Sequence, residues 1–217
     1  MSPLLNTASL RAQLEQMAEP KYRAFASKLI PGEQTLLGVR LPALRKMAKE
    51  LAKAGTWRLQ TPDDAYMEEI MLRGMAIGYA HNISLPERLA ALQAFVPIIC
   101  NWSVCDSCCA TYTFARRDRE TMWTWLSPYL HSNDEFSARF GVVMLLTHYK
   151  QDAAWAAQTA AALPCVPAQA YYAEMAVAWC ACELCLLYPH LEPDLLRQLR
   201  PSIQRLTRRK IRESQRS

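Results

Sequence analysis

Residues 41–55 read LPALRKMAKELAKAG. The apolar side chains of this stretch recur at steps of three or four residues, at Leu44, Met47, Ala48 and Leu51. That spacing places them on one face of an α-helix. Proline at position 42 suits the first turn of a helix, and Gly55 is a typical helix end. The stretch therefore predicts an amphipathic helix that buries one face against a neighbouring element.

Helical spacing continues through most of the chain on both sides of this stretch. Thr61-Pro62-Asp63-Asp64 predicts a helix start, with a helix that runs to about Tyr79. Ser84, followed by Pro86 and Glu87, predicts the next start by the same chemistry. Further helices are predicted over residues 103–115, 118–130, 134–149, 151–162, 168–188, 193–199 and 201–213. No alternating stretch bounded by a tight-turn dipeptide indicates a β-hairpin.

About a dozen helices with short links predict an all-α fold of antiparallel helix pairs. A pair every 35 to 45 residues or so is typical of HEAT and armadillo repeats. Such pairs stack into a solenoid with a concave face, which suits a long, rod-like partner. We expect a single HEAT-like domain over residues 1–217, in which residues 201–217 form a basic C-terminal helix and tail. Because self-similarity between the pairs is weak, a plain helical bundle is the alternative.

The composition excludes several classes of protein. The chain has 217 residues, of which 51% are hydrophobic, so it is neither disordered nor of low complexity. Eight of its 25 bases and one of its 20 acids fall in residues 197–217, so this segment carries +7 and the rest carries −2. Binding of a polyanion by the body must therefore depend on the local placement of cations.

No secretory signal and no apolar run of membrane-spanning length is visible, so we expect a cytoplasmic protein with reduced thiols. Two cysteine pairs have CxxC spacing, Cys105/Cys108 and Cys182/Cys185. Together they could form a four-thiolate zinc site. Both pairs lie in apolar helical runs, which favours thiols in a helix core, and we expect no metal.

The run Asn101-Trp102-Ser103-Val104-Cys105-Asp106 is unusual. Asn101 or Ser103 can cap a helix start. Trp102 and Asp106 are four residues apart and share a helix face. An aromatic ring beside a carboxylate suits a cation. The alternative is that Trp102 belongs to the core and Asp106 bonds a helix end.

Two further side chains stand out within apolar helical runs. Arg139 lies near the head of the run 136–146, where it could be a surface cation, an ion-pair partner or a phosphate contact. Trp179 lies in the run 171–179, and its alternative interpretation is core packing.

Two cationic helix faces are candidates for contact with a polyanion. Arg45 and Lys49 are four residues apart on one face. The terminal helix places four arginines at three- and four-residue steps: Arg205, Arg208, Arg209 and Arg212. The alternative for both faces is simple solvation.

The chain resembles the AlkD-type DNA alkylation repair proteins, a HEAT-like family of DNA glycosylases. Four elements carry the resemblance, in the family's order: Leu36-Leu37-Gly38-Val39-Arg40-Leu41-Pro42 with Leu44-Arg45, Asn101-Trp102 with Asp106, Arg139-Phe140 with Val142-Val143, and Met175-Ala-Val-Ala-Trp179. They extend over most of the chain.

The resemblance implies removal of N3- or N7-alkylated purines from duplex DNA by hydrolysis, without a base-flipping pocket and without a metal or nucleotide cofactor. Asp106 matches the family's catalytic aspartate. Trp102 and Trp179 match the tryptophans that flank the lesion-bearing nucleotide, and Arg139 matches the phosphate-contacting arginine. The expected partner is duplex DNA that carries alkylated purines, bound by a monomer that needs no protein partner and associates with the nucleoid.

One departure from the family pattern keeps other functions open. The typical motif has a second aspartate directly after the tryptophan, where this chain has Ser103. Together with the near-neutral body, this leaves two alternatives to the glycosylase. One is a non-catalytic binder of duplex or distorted DNA, and the other is a HEAT-like scaffold for protein interactions.

Overall fold

The computed structural model describes residues 7–30, 35–55 and 66–214. The described residues form twelve α-helices and no β-strand: α1 Thr7–Gln16, α2 Pro20–Ala26, α3 Leu41–Lys53, α4 Met67–Tyr79, α5 Leu85–Phe95, α6 Trp102–Cys109, α7 Arg119–Leu130, α8 Glu135–His148, α9 Ala153–Ala162, α10 Tyr171–Leu187, α11 Glu192–Gln198 and α12 Pro201–Ser214. Short 3₁₀ segments follow four of them, at Val96–Ile98, Thr113–Arg116, Leu163–Cys165 and Pro189–Leu191. The prediction of an all-α fold is confirmed.

Side-chain caps start α5, α8 and α9 close to where the sequence predicts. The hydroxyl of Ser84 accepts from the N–H of Glu87, whose carboxylate accepts from the Ser84 N–H at 3.0 Å, so the pair forms a capping box for α5. Asp134 and Asp152 cap α8 and α9 by accepting from the N–H groups of Ser137 and Trp155. Gly55, at φ +74°, ends α3 in the left-handed conformation that favours glycine.

One helix ends well before its predicted residue, and one predicted helix start lies in residues that the structure does not describe. The predicted start at Thr61–Asp64 lies outside the described residues, and α4 begins at Met67 after Tyr66. The helix predicted over 103–115 ends at Cys109. It ends there because the hydroxyl of Thr111 donates to the carbonyl of Cys108 at 2.7 Å, and the hydroxyl of Tyr112 donates to that of Gly74 at 3.2 Å. These bonds turn the chain away from the helix axis.

The chain divides into two compact units, Met1–Tyr112 and Thr113–Ser217. Within the first, α3 packs against α4, and α4 packs against α6. Within the second, α7 packs against α8, while α10 packs against both α8 and α12. The helix pairs are thus confirmed, while a single domain with a concave face stays a prediction. Among the described residues, no helix is both long and apolar enough to cross a bilayer.

Candidate functional site

The short helix α6 carries the first two candidate residues. The side-chain oxygen of Asn101 accepts from the N–H of Val104 at 2.9 Å, so Asn101 is the cap that starts this helix. Asn101 itself is buried, which fixes the point at which the chain turns into α6. Of the two caps that the sequence allows, Ser103 lies within the helix instead.

Close packing against α4 determines which face of α6 is buried. A Cβ at Gly74 would collide with the Cys108 thiol, and one at Gly78 would collide with the Thr111 hydroxyl. Glycine at both positions therefore lets α6 and the turn after it approach α4 closely. The cysteine face of α6 is buried against α4, whereas Trp102 and Asp106 are half-buried.

A hydrogen bond from outside α6 holds the indole of Trp102. Its Nε1–H donates to the backbone carbonyl of Leu29 at 3.1 Å, across 73 positions of sequence. Asp106 lies one helical turn further along α6, on the face that Trp102 shares. The first unit thus brings the two residues together, with the ring held in a defined orientation.

Arg139, the third candidate, lies in α8 with a side chain only 4% exposed. One guanidinium nitrogen donates to the carbonyl of Tyr172 at 2.8 Å. The carboxylate of Glu135, on the same helix as Arg139, accepts from the N–H of Tyr172 at 2.6 Å. Arg139 is therefore not the exposed cation that one interpretation of the sequence suggests. It helps to hold the first turn of α10 against α8.

Trp179, the fourth candidate, lies two turns beyond Tyr172 on α10 and is 36% exposed. Its alternative interpretation as a core residue is wrong, because the buried face of α10 is formed by alanine, valine, cysteine and leucine. Arg139 and Trp179 lie on neighbouring helices of the second unit, as Trp102 and Asp106 lie together in the first.

The predicted cationic faces are both exposed. On α3, Arg45 and Lys49 are exposed while Leu44 is buried, and the Lys49 ammonium lies 5.2 Å from the ring centroid of Tyr79. On α12, the buried residues Ile203, Thr207 and Ile211 form one side. The arginines of the other side are exposed: Arg205, Arg208, Arg209 and Arg212. One of them, Arg209, pairs with Glu213 at 3.2 Å.

Sequence reasoning missed a buried carboxylate that shapes the segment 36–40. Glu68 in α4 is 1% exposed, and its oxygens accept from the backbone N–H groups of Leu37, Gly38 and Val39 at 3.0, 2.7 and 3.2 Å. Gly38 has φ +91°, and a Cβ there would collide with Arg23. Two adjacent acids at the head of a largely apolar helix were the available signal.

Two further joins use charged side chains that the sequence analysis did not single out. In the first unit, Arg11 of α1 donates two hydrogen bonds to Glu69 of α4, at 2.8 and 3.0 Å. In the second, Glu174 of α10 accepts from the Ser202 hydroxyl at 2.8 Å and pairs with Arg200 at 3.5 Å. These joins attach α1 and α12 to the helices beside them.

All four cysteines of the CxxC pairs are buried thiols. Burial raises the pKa of Cys108 and Cys182 and raises that of Cys185 to about 12. Cys105 and Cys108 lie in the first unit, and Cys182 and Cys185 lie in the second. No group of three or more potential metal ligands occurs among the described residues.

Comparison with known proteins supplies the family. No curated protein matches the chain. The sequence profile of the family described as DNA alkylation repair enzyme matches residues 10–180. The match covers well over half of the chain, including α6, α8 and Trp179 of α10. The chain belongs to the DNA alkylation repair enzyme family.

Proposed function

We propose that this protein is a DNA glycosylase that removes N3- or N7-alkylated purines from duplex DNA. The observation that carries the proposal is the pair on α6. A half-buried carboxylate, Asp106, lies one turn from the half-buried indole of Trp102. A hydrogen bond to the backbone carbonyl of Leu29, which is remote in sequence, sets the orientation of this indole. Membership of the repair family supplies the substrate, DNA.

The pair suits the chemistry of an alkylated purine. Alkylation at N3 or N7 gives the base a positive charge, so the base is already activated as a leaving group. Cleavage of the N-glycosidic bond then leaves an oxocarbenium-like sugar, which a nearby carboxylate stabilises while it orients the attacking water. Asp106 takes this role, and the face of Trp102 contacts the cationic nucleotide through cation–π attraction.

The other two candidates, Trp179 and Arg139, lie in the second unit. Trp179 presents enough exposed ring surface to contact the deoxyribose. Arg139 is proposed to hold a phosphate, in addition to its bond with the Tyr172 carbonyl. The exposed cations of α3 and α12 contact the DNA backbone and supply the salt-dependent part of the affinity.

Asp106→Asn tests the proposal directly. Because the amide is neutral and nearly isosteric, we expect the variant to bind methylated duplex DNA like the wild type and to release no 7-methylguanine. The measurement is free base released from methylated DNA, with affinity determined in parallel. The matched control is Asp118→Asn, since Asp118 is an exposed acid that makes no side-chain cap to α7. Undiminished release by Asp106→Asn would remove this carboxylate from the mechanism.

Ser103 favours a second candidate, a non-catalytic binder of duplex or distorted DNA, because it replaces the second acid of the family motif. A protein of this second class would bind DNA in a salt-sensitive manner and release no base. Ser103→Asp distinguishes the two, since base release that appears only in this variant would assign the wild type to the binding class. A protein-interaction scaffold, by contrast, predicts no measurable affinity for DNA at low salt.

A further inference from the structure

The helix α2 and the turn after it expose apolar side chains that the core does not use. Phe25 is 59% exposed and Leu29 is 51% exposed. The turn keeps a helical path beyond α2, because the N–H groups of Leu29 and Ile30 both donate to the carbonyl of Ala26. Tyr22, Phe25 and Leu29 are therefore spaced as one helix face. The rings of Tyr22 and Phe25 are 6.5 Å apart.

Cations lie on the same face. Lys21 and Lys28 stand four residues before and three residues after Phe25, and both are exposed. The guanidinium of Arg40 lies 4.9 Å from the ring centroid of Tyr22 and pairs with Glu19 at 2.8 Å. The face is thus locally basic, although residues 1–196 carry a net charge of −2. We call Lys21, Tyr22, Phe25, Lys28 and Leu29 the α2 patch.

The α2 patch is continuous with the candidate site on α6. The carbonyl that accepts from the indole of Trp102 belongs to Leu29, which is itself a member of the patch. Any partner that reaches Trp102 therefore meets a surface on which apolar side chains lie next to lysines. A peptide groove needs mainly apolar area, whereas a nucleic-acid backbone offers phosphates at regular intervals with sugar and base edges between them.

We propose that the α2 patch is a second DNA-contacting surface beside the nucleotide that Trp102 holds. Phe25 and Leu29 pack against deoxyribose and base edges, while Lys21 and Lys28 neutralise the flanking phosphates. The Leu29 carbonyl makes the patch a positioning element as well, since it orients the indole. The position of the bound nucleotide beside Trp102 rests on the proposed function. The contact between the α2 patch and DNA is tested by binding affinity alone, without base release.

The two halves of the patch predict different effects on binding. Removing Phe25 and Leu29 takes away contacts that involve no counterion release, so affinity falls at every salt concentration with an unchanged salt slope. Removing Lys21 and Lys28 reduces the number of neutralised phosphates by two. The slope of log K against log[salt] then falls by about 1.8, at about 0.9 per phosphate.

The test measures the affinity of the full chain for a duplex that contains a tetrahydrofuran abasic analogue, over a range of salt concentrations. We expect Phe25→Ala/Leu29→Ala to bind about tenfold more weakly and Lys21→Gln/Lys28→Gln to show the reduced slope. The matched control is Leu186→Ala/Leu187→Ala, which removes two side chains of α10 that are 40% and 45% exposed. It should bind within twofold of the wild type.

Several outcomes would overturn the α2 patch as a DNA surface. The first is that the Phe25→Ala/Leu29→Ala variant binds within twofold of the wild type. The second is that the wild type does not bind. The third is that the variant changes only the oligomeric state. Base release is measured separately on the same variants. A wild type that binds through the patch but releases no base would refute the glycosylase proposal and leave the α2 patch standing.

Discussion

At the scale of single residues, the most important contacts are hydrogen bonds between a charged side chain and backbone atoms. The buried carboxylate of Glu68 accepts from three consecutive N–H groups, those of residues 37–39. A carboxylate offers about four acceptor sites, so one side chain can satisfy several backbone donors in a buried segment. Glu68 thus fixes the path of the chain into α3, the helix that carries Arg45 and Lys49.

Glu68→Gln tests this arrangement. The amide replaces one acceptor oxygen with an NH₂ group that faces backbone donors, so at least one buried hydrogen bond is lost. We expect the free energy of unfolding to fall by about 3 kcal/mol, measured by urea denaturation. The control is Glu50→Gln, an exposed acid on α3, which should change stability by less than about 0.5 kcal/mol. Equal stability of the two variants would contradict the role of Glu68.

Contacts between neighbours in sequence were predictable, and contacts across the chain were not. The caps by Asn101 and Ser84 follow from residue types at fixed offsets, and both occur. The bond between Trp102 and Leu29 spans 73 positions and uses a backbone acceptor, which every residue has. The burial of Arg139 likewise depends on where α10 begins. Periodicity carries no signal for either contact.

At the scale of elements, α12 combines two tasks on opposite sides. Its apolar side packs against α10, and its N-terminal end is joined to Glu174 through Ser202. Its other side presents four arginines. Removing the helix would therefore expose part of α10 as well as remove charge. Substitution of the arginines alone separates the two tasks.

The quadruple variant Arg205→Gln/Arg208→Gln/Arg209→Gln/Arg212→Gln tests the terminal helix as a DNA contact. If all four arginines neutralise phosphates, the salt slope of DNA binding falls by about 3 to 4. The control is the same set of positions changed to lysine, which keeps the charge and should keep the slope. An unchanged slope in the glutamine variant would mean that this face is only solvated.

Most helix positions were predictable because those helices have an apolar face or a start signal of their own. The ends depend on packing. The helix predicted over 103–115 stops at Cys109 because Thr111 and Tyr112 bond to α6 and α4, and the two glycines of α4 admit this close approach. A prediction based on local periodicity continues through such a turn, since Tyr112 and Phe114 keep the apolar pattern.

At the scale of the whole molecule, the thiols report on burial. Of the eight cysteines, only Cys100 and Cys165 are exposed. Burial raises the pKa of most of the others: Cys108, Cys109, Cys180, Cys182 and Cys185. These five thiols stay protonated in the folded protein at pH values where the unfolded chain ionises.

We therefore expect a chromogenic disulfide reagent to react rapidly with two thiols in the native protein and with all eight in urea. Because burial raises the pKa of these thiols in the folded state, the free energy of unfolding keeps its full value below the unfolded-state thiol pKa of about 8.5. It declines as the pH rises above that value. Urea denaturation at pH 7, 9 and 10 checks the direction. Rapid native reaction of more than two thiols would contradict the burial.

The join between α8 and α10 has a consequence for how this family is compared across species. Glu135 and Arg139 hold the N–H and the carbonyl of residue 172, which every amino acid other than proline supplies. Side chains at position 172 can therefore drift while both bonds persist, whereas a change at 135 or 139 breaks one of them. Constancy of position 139 among relatives would follow from folding alone, before any selection for contact with DNA.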